Sequence, residues 1–241
     1  MSIRIGIGIG ITRKVSPVIP ISEGEAIIRN DGNTVAWYDY TTPTTITKDG
    51  SNRISLWADK LLSGRNIIQA DGEKQPLYQA TGVVFAGAPI REHLESAPFI
   101  WNQPCQIYAV CKQITWTANY YLMTGIGGIN NFYLQQRTSS PNLRLAAITA
   151  LTNYANLAVN TWGIVRIVLN GANSRLQVDN TAPRTGNAGA NNPGGFCIPF
   201  NGAAPANCEY KEIVLRSAAD SVDDETKIYN YLAEKYEFPT I

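Results

Sequence analysis

Apolar and polar positions alternate with a period of two over short stretches through most of this chain, which is the mark of half-buried strands. Ile54, Leu56 and Ala58 take alternate positions. Between Gln106 and Lys112, Ile107, Ala109 and Cys111 face one way while Tyr108 and Val110 face the other, predicting a central strand buried on both sides. Further strands are predicted over 35–40, 82–86, 120–124, 131–136, 143–149, 156–159, 163–169, 175–178, 195–199 and 209–215. Turn chemistry separates them, as at Gly127-Gly128, Ser139-Ser140-Pro141-Asn142 and Asn170-Gly171. Roughly a dozen strands with almost no helix predict an all-β fold, a two-sheet antiparallel β-sandwich.

One segment breaks this period. Ile228, Tyr231, Leu232 and Lys235 mark one side of a short C-terminal helix that Ser221 caps. Asp223, Asp224 and Glu225 suit its positive first turn, and Pro239 prevents extension.

The start of the chain also stands apart. Ile3, Ile5, Ile7, Ile9 and Ile11 share one face of an expected strand, with Gly6, Gly8 and Gly10 opposite. Such a ribbon is an aggregation-prone edge unless another strand covers it, and bare glycine faces let a second backbone approach closely. Pro17 and Pro20 end it, and Ser22–Arg29 returns to a strand-like pattern. The expected division is an extended arm over 1–30, serving assembly through the five isoleucines, and a sandwich over 31–241. Ribbons that pair with each other would give a homo-oligomer.

Charge is sparse, at 16% of residues with a net of +1. No basic excess exists to neutralise phosphates, and no charged block marks a membrane surface, so neither nucleic acid nor membrane is an expected partner. The apolar start lacks the basic lead and cleavage site of a secretory leader, so export by that route is not expected. Cys105, Cys111, Cys197 and Cys208 show no zinc spacing, and His93 is the single histidine. The expected state is four free thiols, with a Cys197–Cys208 loop closure as the alternative in an oxidising compartment.

Trp37-Tyr38-Asp39, Trp57-Ala58-Asp59, Ser63-Gly64-Arg65-Asn66 and Val83-Val84-Phe85-Ala86-Gly87 together resemble the opening of laminin-G-like or concanavalin-A-like jelly rolls. Glu212-Ile213-Val214-Leu215 and Tyr231-Leu232-Ala233-Glu234-Lys235-Tyr236 resemble the family's closing strand and helix. Ala86 stands where that family carries Asp. A sandwich behind an Ile-Gly ribbon is similar to virion structural proteins of tailed bacteriophages. That resemblance implies a non-enzymatic decoration, fibre or adhesin protein on a virion, docked to other virion proteins through the arm. Trp37, Trp57 and Asp59 are then structural, Asp59 tying the 63–66 turn through its backbone donors.

Glucanases on this scaffold place two carboxylates on one strand as Glu-x-Asp-x-x-Glu, because one carboxyl must protonate the leaving oxygen while the other attacks or activates water. No strand carries that pattern, and Glu209 and Glu212 are expected on opposite faces. His93 sits in Arg91-Glu92-His93-Leu94-Glu95, which reads as a solvated turn or short helix. Gly125-Ile126-Gly127-Gly128 does not open a helix and reads as a turn rather than a phosphate loop. Asp179 and Asn180 fall short of a calcium ligand set. No catalytic residue, metal or cofactor is therefore expected, and the chain is read as not an enzyme.

Binding has firmer candidates. Trp116, Tyr120, Tyr121 and Tyr133 supply rings that can stack on sugar faces, and Asn131 supplies an amide for hydroxyls. A cell-surface glycan is the expected ligand of a lectin-type alternative, and a glycoside hydrolase is the more remote one.

Overall fold

The computed structural model describes residues 21–241. The segment read as doubly buried is the strand Cys105–Gln113. It lies inside an eight-stranded sheet ordered Arg184–Gly186, Ser174–Val178, Trp162–Leu169, Cys105–Gln113, Asn207–Arg216, Gly82–Ala86 and Leu77–Gln79, with Thr34–Asp39 also paired to 207–216. A ten-stranded sheet lies opposite. Its order is Thr149–Ala150, Asn142–Ala147, Gly128–Gln136, Tyr121–Gly125, Cys197–Ile198, Leu94–Ser96, Ile67–Ile68, Ile54–Trp57 and Ile46–Lys48, with Ala155–Asn156 added beside 142–147. The ladders are antiparallel, and the fold is the expected two-sheet β-sandwich.

The facing sides of the sheets enclose the main core, with Tyr38, Trp57, Phe85, Trp101, Phe132 and Tyr210 wholly buried. The outer side of the eight-stranded sheet carries a second cluster. There Trp37, Tyr108, Val110, Ile164 and Val214 pack under Ile228, Tyr229, Tyr231 and Leu232 of a helix, Val222–Tyr236. Ser221 caps this helix, its hydroxyl accepting from Asp224 N at 3.1 Å, as the sequence predicts.

The extended arm needs correction in its last part. Residues Glu23–Asn30 form an α-helix, α1, rather than a strand, and it packs on the C-terminal helix, α2. Ser22 Oγ accepts from Glu25 N at 3.2 Å, and Ile28 is buried in the second cluster. Gly24 permits the contact, because a Cβ there would lie 2.1 Å from the Lys227 carbonyl oxygen. Gly24→Ala is expected to lower stability by about 1–3 kcal/mol through overpacking, read as a shift in the denaturant midpoint. The assembly residues Ile3, Ile5, Ile7, Ile9 and Ile11 lie outside the described residues.

Buried ions fix this helical layer. Asp39 and Glu212 pair in register across neighbouring strands, and Lys235 of α2 reaches both, at 2.8 and 2.6 Å. Lys60 adds a second ammonium to Asp39 at 2.7 Å. Glu225 meets Arg166 at 2.9 Å and also Arg175, while Arg216 meets Asp31 and Asp220. The expectation that Glu209 and Glu212 face opposite ways is overturned by a bulge between Tyr210 and Glu212. Glu209 pairs in register with Lys112 and Glu212 with Val110, two positions along the same strand, so both acids take the helix-covered side.

Asp59 does tie its turn. Its carboxylate accepts from Trp37 N at 2.7 Å, Leu61 N at 3.2 Å and Ser63 N at 2.8 Å, and its own N–H donates to Asn66 Oδ1 at 3.0 Å. The four cysteines are free and buried, and burial pushes the Cys105 thiol up to about 12. His93 is buried rather than solvated, with Gln69 Nε2 at 2.8 Å from its Nε2.

Candidate functional site

Both α-helices pack on the eight-stranded sheet, and the outer side of the ten-stranded sheet carries the half-buried Glu95, Tyr121, Tyr133 and Arg144. Cross-strand register sets its central row: Glu95 pairs with Cys197, Cys197 with Thr124, Thr124 with Tyr133 and Tyr133 with Ala146. Paired residues share a face, and the intervening Leu94, Leu134 and Leu145 turn inward to the core.

A pocket of about 150 Å³ opens on this row. Glu95, Thr124, Cys197, Phe200, Asn201 and the 125–127 turn line it. Asn201 Nδ2 donates to both Glu95 carboxylate oxygens, at 3.1 and 3.0 Å. Those bonds hold the carboxylate against the wall and leave its remaining lone pairs for an outside donor. Thr124 is 1% exposed, and its hydroxyl has no partner of good hydrogen-bond geometry, with the weakly polar Cys197 thiol beside it. A buried hydroxyl without a partner costs free energy until something satisfies it. A second recess of about 390 Å³, lined by Ile68, Gln69 and Ser96 among others, shares Glu95 with the first.

Aromatic rings border the pocket. Tyr121 stands edge-on to Phe200 at 5.0 Å and to Tyr133 at 5.3 Å. Burial, and then the neighbouring Tyr133, push the Tyr121 phenol up, so it stays a neutral donor at ordinary pH. Beyond them Arg144 Nη2 donates to the Tyr133 hydroxyl at 3.0 Å and to Gln135 Oε1 at 2.6 Å.

The residues proposed for a ligand from sequence divide. Tyr121 and Tyr133 come together on the open face. Tyr120 instead packs against the core. Trp116 is half-buried in the connection before Tyr121–Gly125, outside the pocket lining. Asn131 donates to the Ile126 carbonyl and, at 3.2 Å, to the Pro193 carbonyl, so its amide joins two loops. Glu95, Thr124, Phe200 and Asn201 were not among the sequence candidates. Three separate segments supply them, and only Phe200, an aromatic just past a strand, carried any local signal. Among the residues lining the pocket and the adjoining recess, Glu95 is the one carboxylate, so the paired acids of a glycosidase do not meet there.

No sequence-family description matches the chain, and no curated protein matches it by sequence. Solved structures do match. A Trypanosoma rangeli sialidase in complex with sialic acid is similar with a TM-score of 0.60 at 14% identity, over 86% of this chain and 34% of the sialidase. A GH54 α-L-arabinofuranosidase is similar with a TM-score of 0.53 at 13% identity, over 75% of this chain and 50% of that one. The chain thus spans about a third of the sialidase and half of the arabinofuranosidase. At these identities the likeness shows the fold. It corrects the reading of the chain as not an enzyme: a sialidase and an arabinofuranosidase carry this sandwich, so the scaffold gives no ground for setting catalysis aside.

Proposed function

We propose that this protein binds carbohydrate on the outer face of its ten-stranded sheet, with a sugar unit in the pocket beside Phe200 and Tyr121. The observation that carries the reading is the pocket itself. A carboxylate held by an amide and an aromatic ring converge there, and sugars offer vicinal hydroxyls on one side and an apolar C–H face on the other. Glu95 accepts from hydroxyl groups, and Phe200 covers the C–H face. The likeness to carbohydrate-acting enzymes agrees with this reading without carrying it.

A glycan array followed by calorimetric titration of its hits tests the proposal. Phe200→Ala and Glu95→Gln are each expected to weaken binding by about tenfold to a hundredfold, the loss of one stacking ring or one charged acceptor. Affinities unchanged in both variants would place the ligand elsewhere. The virion role, with docking through Ile3–Ile11 and homo-oligomer formation, stays a proposal carried by sequence alone, since those residues lie outside the described part.

A further inference from the structure

No Asp or Glu occurs between Glu95 and Asp179 in the sequence, and that stretch supplies the strands 121–125, 128–136 and 142–147. One arginine, Arg144, nevertheless stands on these strands, on the side away from the core. The buried Arg166 and Arg216 meet Glu225 and Asp220, whereas the half-buried Arg65 and Arg137 bond a carbonyl and a phenol. Arg144 has no carboxylate partner among the described residues. Its two hydrogen bonds go to a phenol and an amide, which carry no charge, and its Nε is buried without a partner. Residues 1–20 contain no Asp or Glu, so no side-chain carboxylate can come from there.

A guanidinium placed beside Tyr133 without a counter-charge attracts an anion, and with Nη2 spent on Tyr133 and Gln135 and Nε buried, Nη1 is the nitrogen left to donate to it. The other end of the row has the opposite sign. Glu95 repels an anion and accepts from hydroxyls. Glu95, Cys197, Thr124, Tyr133 and Ala146 lie in one cross-strand line, so four strand spacings of about 4.8 Å separate its ends by about 19 Å. Arg144 follows two residues along from Ala146, in register with Gln135. That span is longer than one sugar unit, and Tyr121 and Tyr133 are the partly exposed rings between its ends.

We propose that the ligand of this face is an acidic oligosaccharide, its carboxylate held by Arg144 and a neutral, hydroxyl-bearing unit seated against Glu95. The inference rests on the carbohydrate reading above and adds polarity and charge to it. The carboxylate can come from an internal uronic acid or from a terminal sialic acid, and both present the same planar anion.

Titration calorimetry with two matched pairs distinguishes these sources. One pair is a uronate-containing tetrasaccharide and its carboxyl-reduced form; the other is a sialylated tetrasaccharide and its desialylated form. The acidic member of at least one pair is expected to bind about tenfold more tightly, with the preference shrinking as salt rises. In Arg144→Gln the acidic and neutral members of each pair are expected to bind equally. Arg144→Lys, which keeps the charge without the fork, retains part of it, so the inference stays open to test if the glutamine variant does not fold. Equal affinity within both pairs, with binding otherwise intact, overturns the acidic ligand alone. A preference that survives in Arg144→Gln overturns the role of Arg144. No binding by any of the four overturns the carbohydrate reading as well.

Discussion

Trp57→Ala lowers the free energy of unfolding by about 3–5 kcal/mol, measured by chemical denaturation. The indole is wholly buried between the two sheets and stands edge-on to Tyr38 at 6.0 Å. Its strand, Ile54–Trp57, is held on both sides, Trp57 pairing with Ile46 and with Ile67, so the backbone cannot collapse into the space left. A comparison with Trp37 separates packing from hydrogen bonding. Trp57 Nε1 is buried without a partner, whereas Trp37 Nε1 donates to Glu212 at 2.6 Å. Phenylalanine removes an unsatisfied donor at the first site and leaves a buried acceptor short of one at the second. Trp37→Phe is therefore expected to cost more than Trp57→Phe by about 1 kcal/mol or more, although the change in shape is the same.

Lys235→Met is expected to cost about 3–5 kcal/mol, because it leaves two buried carboxylates sharing a single remaining ammonium. Glu212 is wholly buried and accepts from Trp37, Tyr231, Tyr236 and Lys235. Burial and the adjacent Asp39 raise its carboxyl above the ordinary range. Asp39 goes the other way: although burial opposes it, Lys235, Lys60 and Thr41 hold its carboxyl well below 3.8. The signs set the pH response. The contribution of Asp39 is present above 3.8 and is lost as pH falls toward its lower folded value. The contribution of Glu212 is present at low pH and declines as pH rises through its raised folded value. Asp39→Asn should flatten the acid limb of the stability curve below 3.8 while already lowering stability at neutral pH. An acid limb unchanged in that variant would show that Asp39 does not set it.

The sandwich was legible because its signals are local. The two-residue period at 107–111 and the apolar runs at 82–86 and 163–169 mark strands without knowledge of their neighbours. The Ser221 cap and the Asp59-tied turn are equally local. Helix α1 is hard to read from sequence because Gly24 weakens the helical pattern of a segment only 8 residues long, and the reason for that glycine lies across space at Lys227. The bulge after Tyr210 is not legible because no Gly or Pro announces it, yet it carries Glu212 to the same side as Glu209. The pocket is a product of topology. Glu95, Thr124 and Phe200 become neighbours only when Cys197–Ile198 enters the sheet between Leu94–Ser96 and Tyr121–Gly125. Tyr121 and Tyr133 come together because they sit on adjacent strands of one hairpin.

Amide chemical-shift mapping of the protein during titration with a mixed neutral and acidic oligosaccharide library tests the central claim most directly. The account predicts shifts concentrated at residues 95, 121–125, 133–135, 144 and 197–201, with the helix-covered side of the other sheet unmoved. Shifts confined to loops away from that row, or none at saturating sugar, would contradict it.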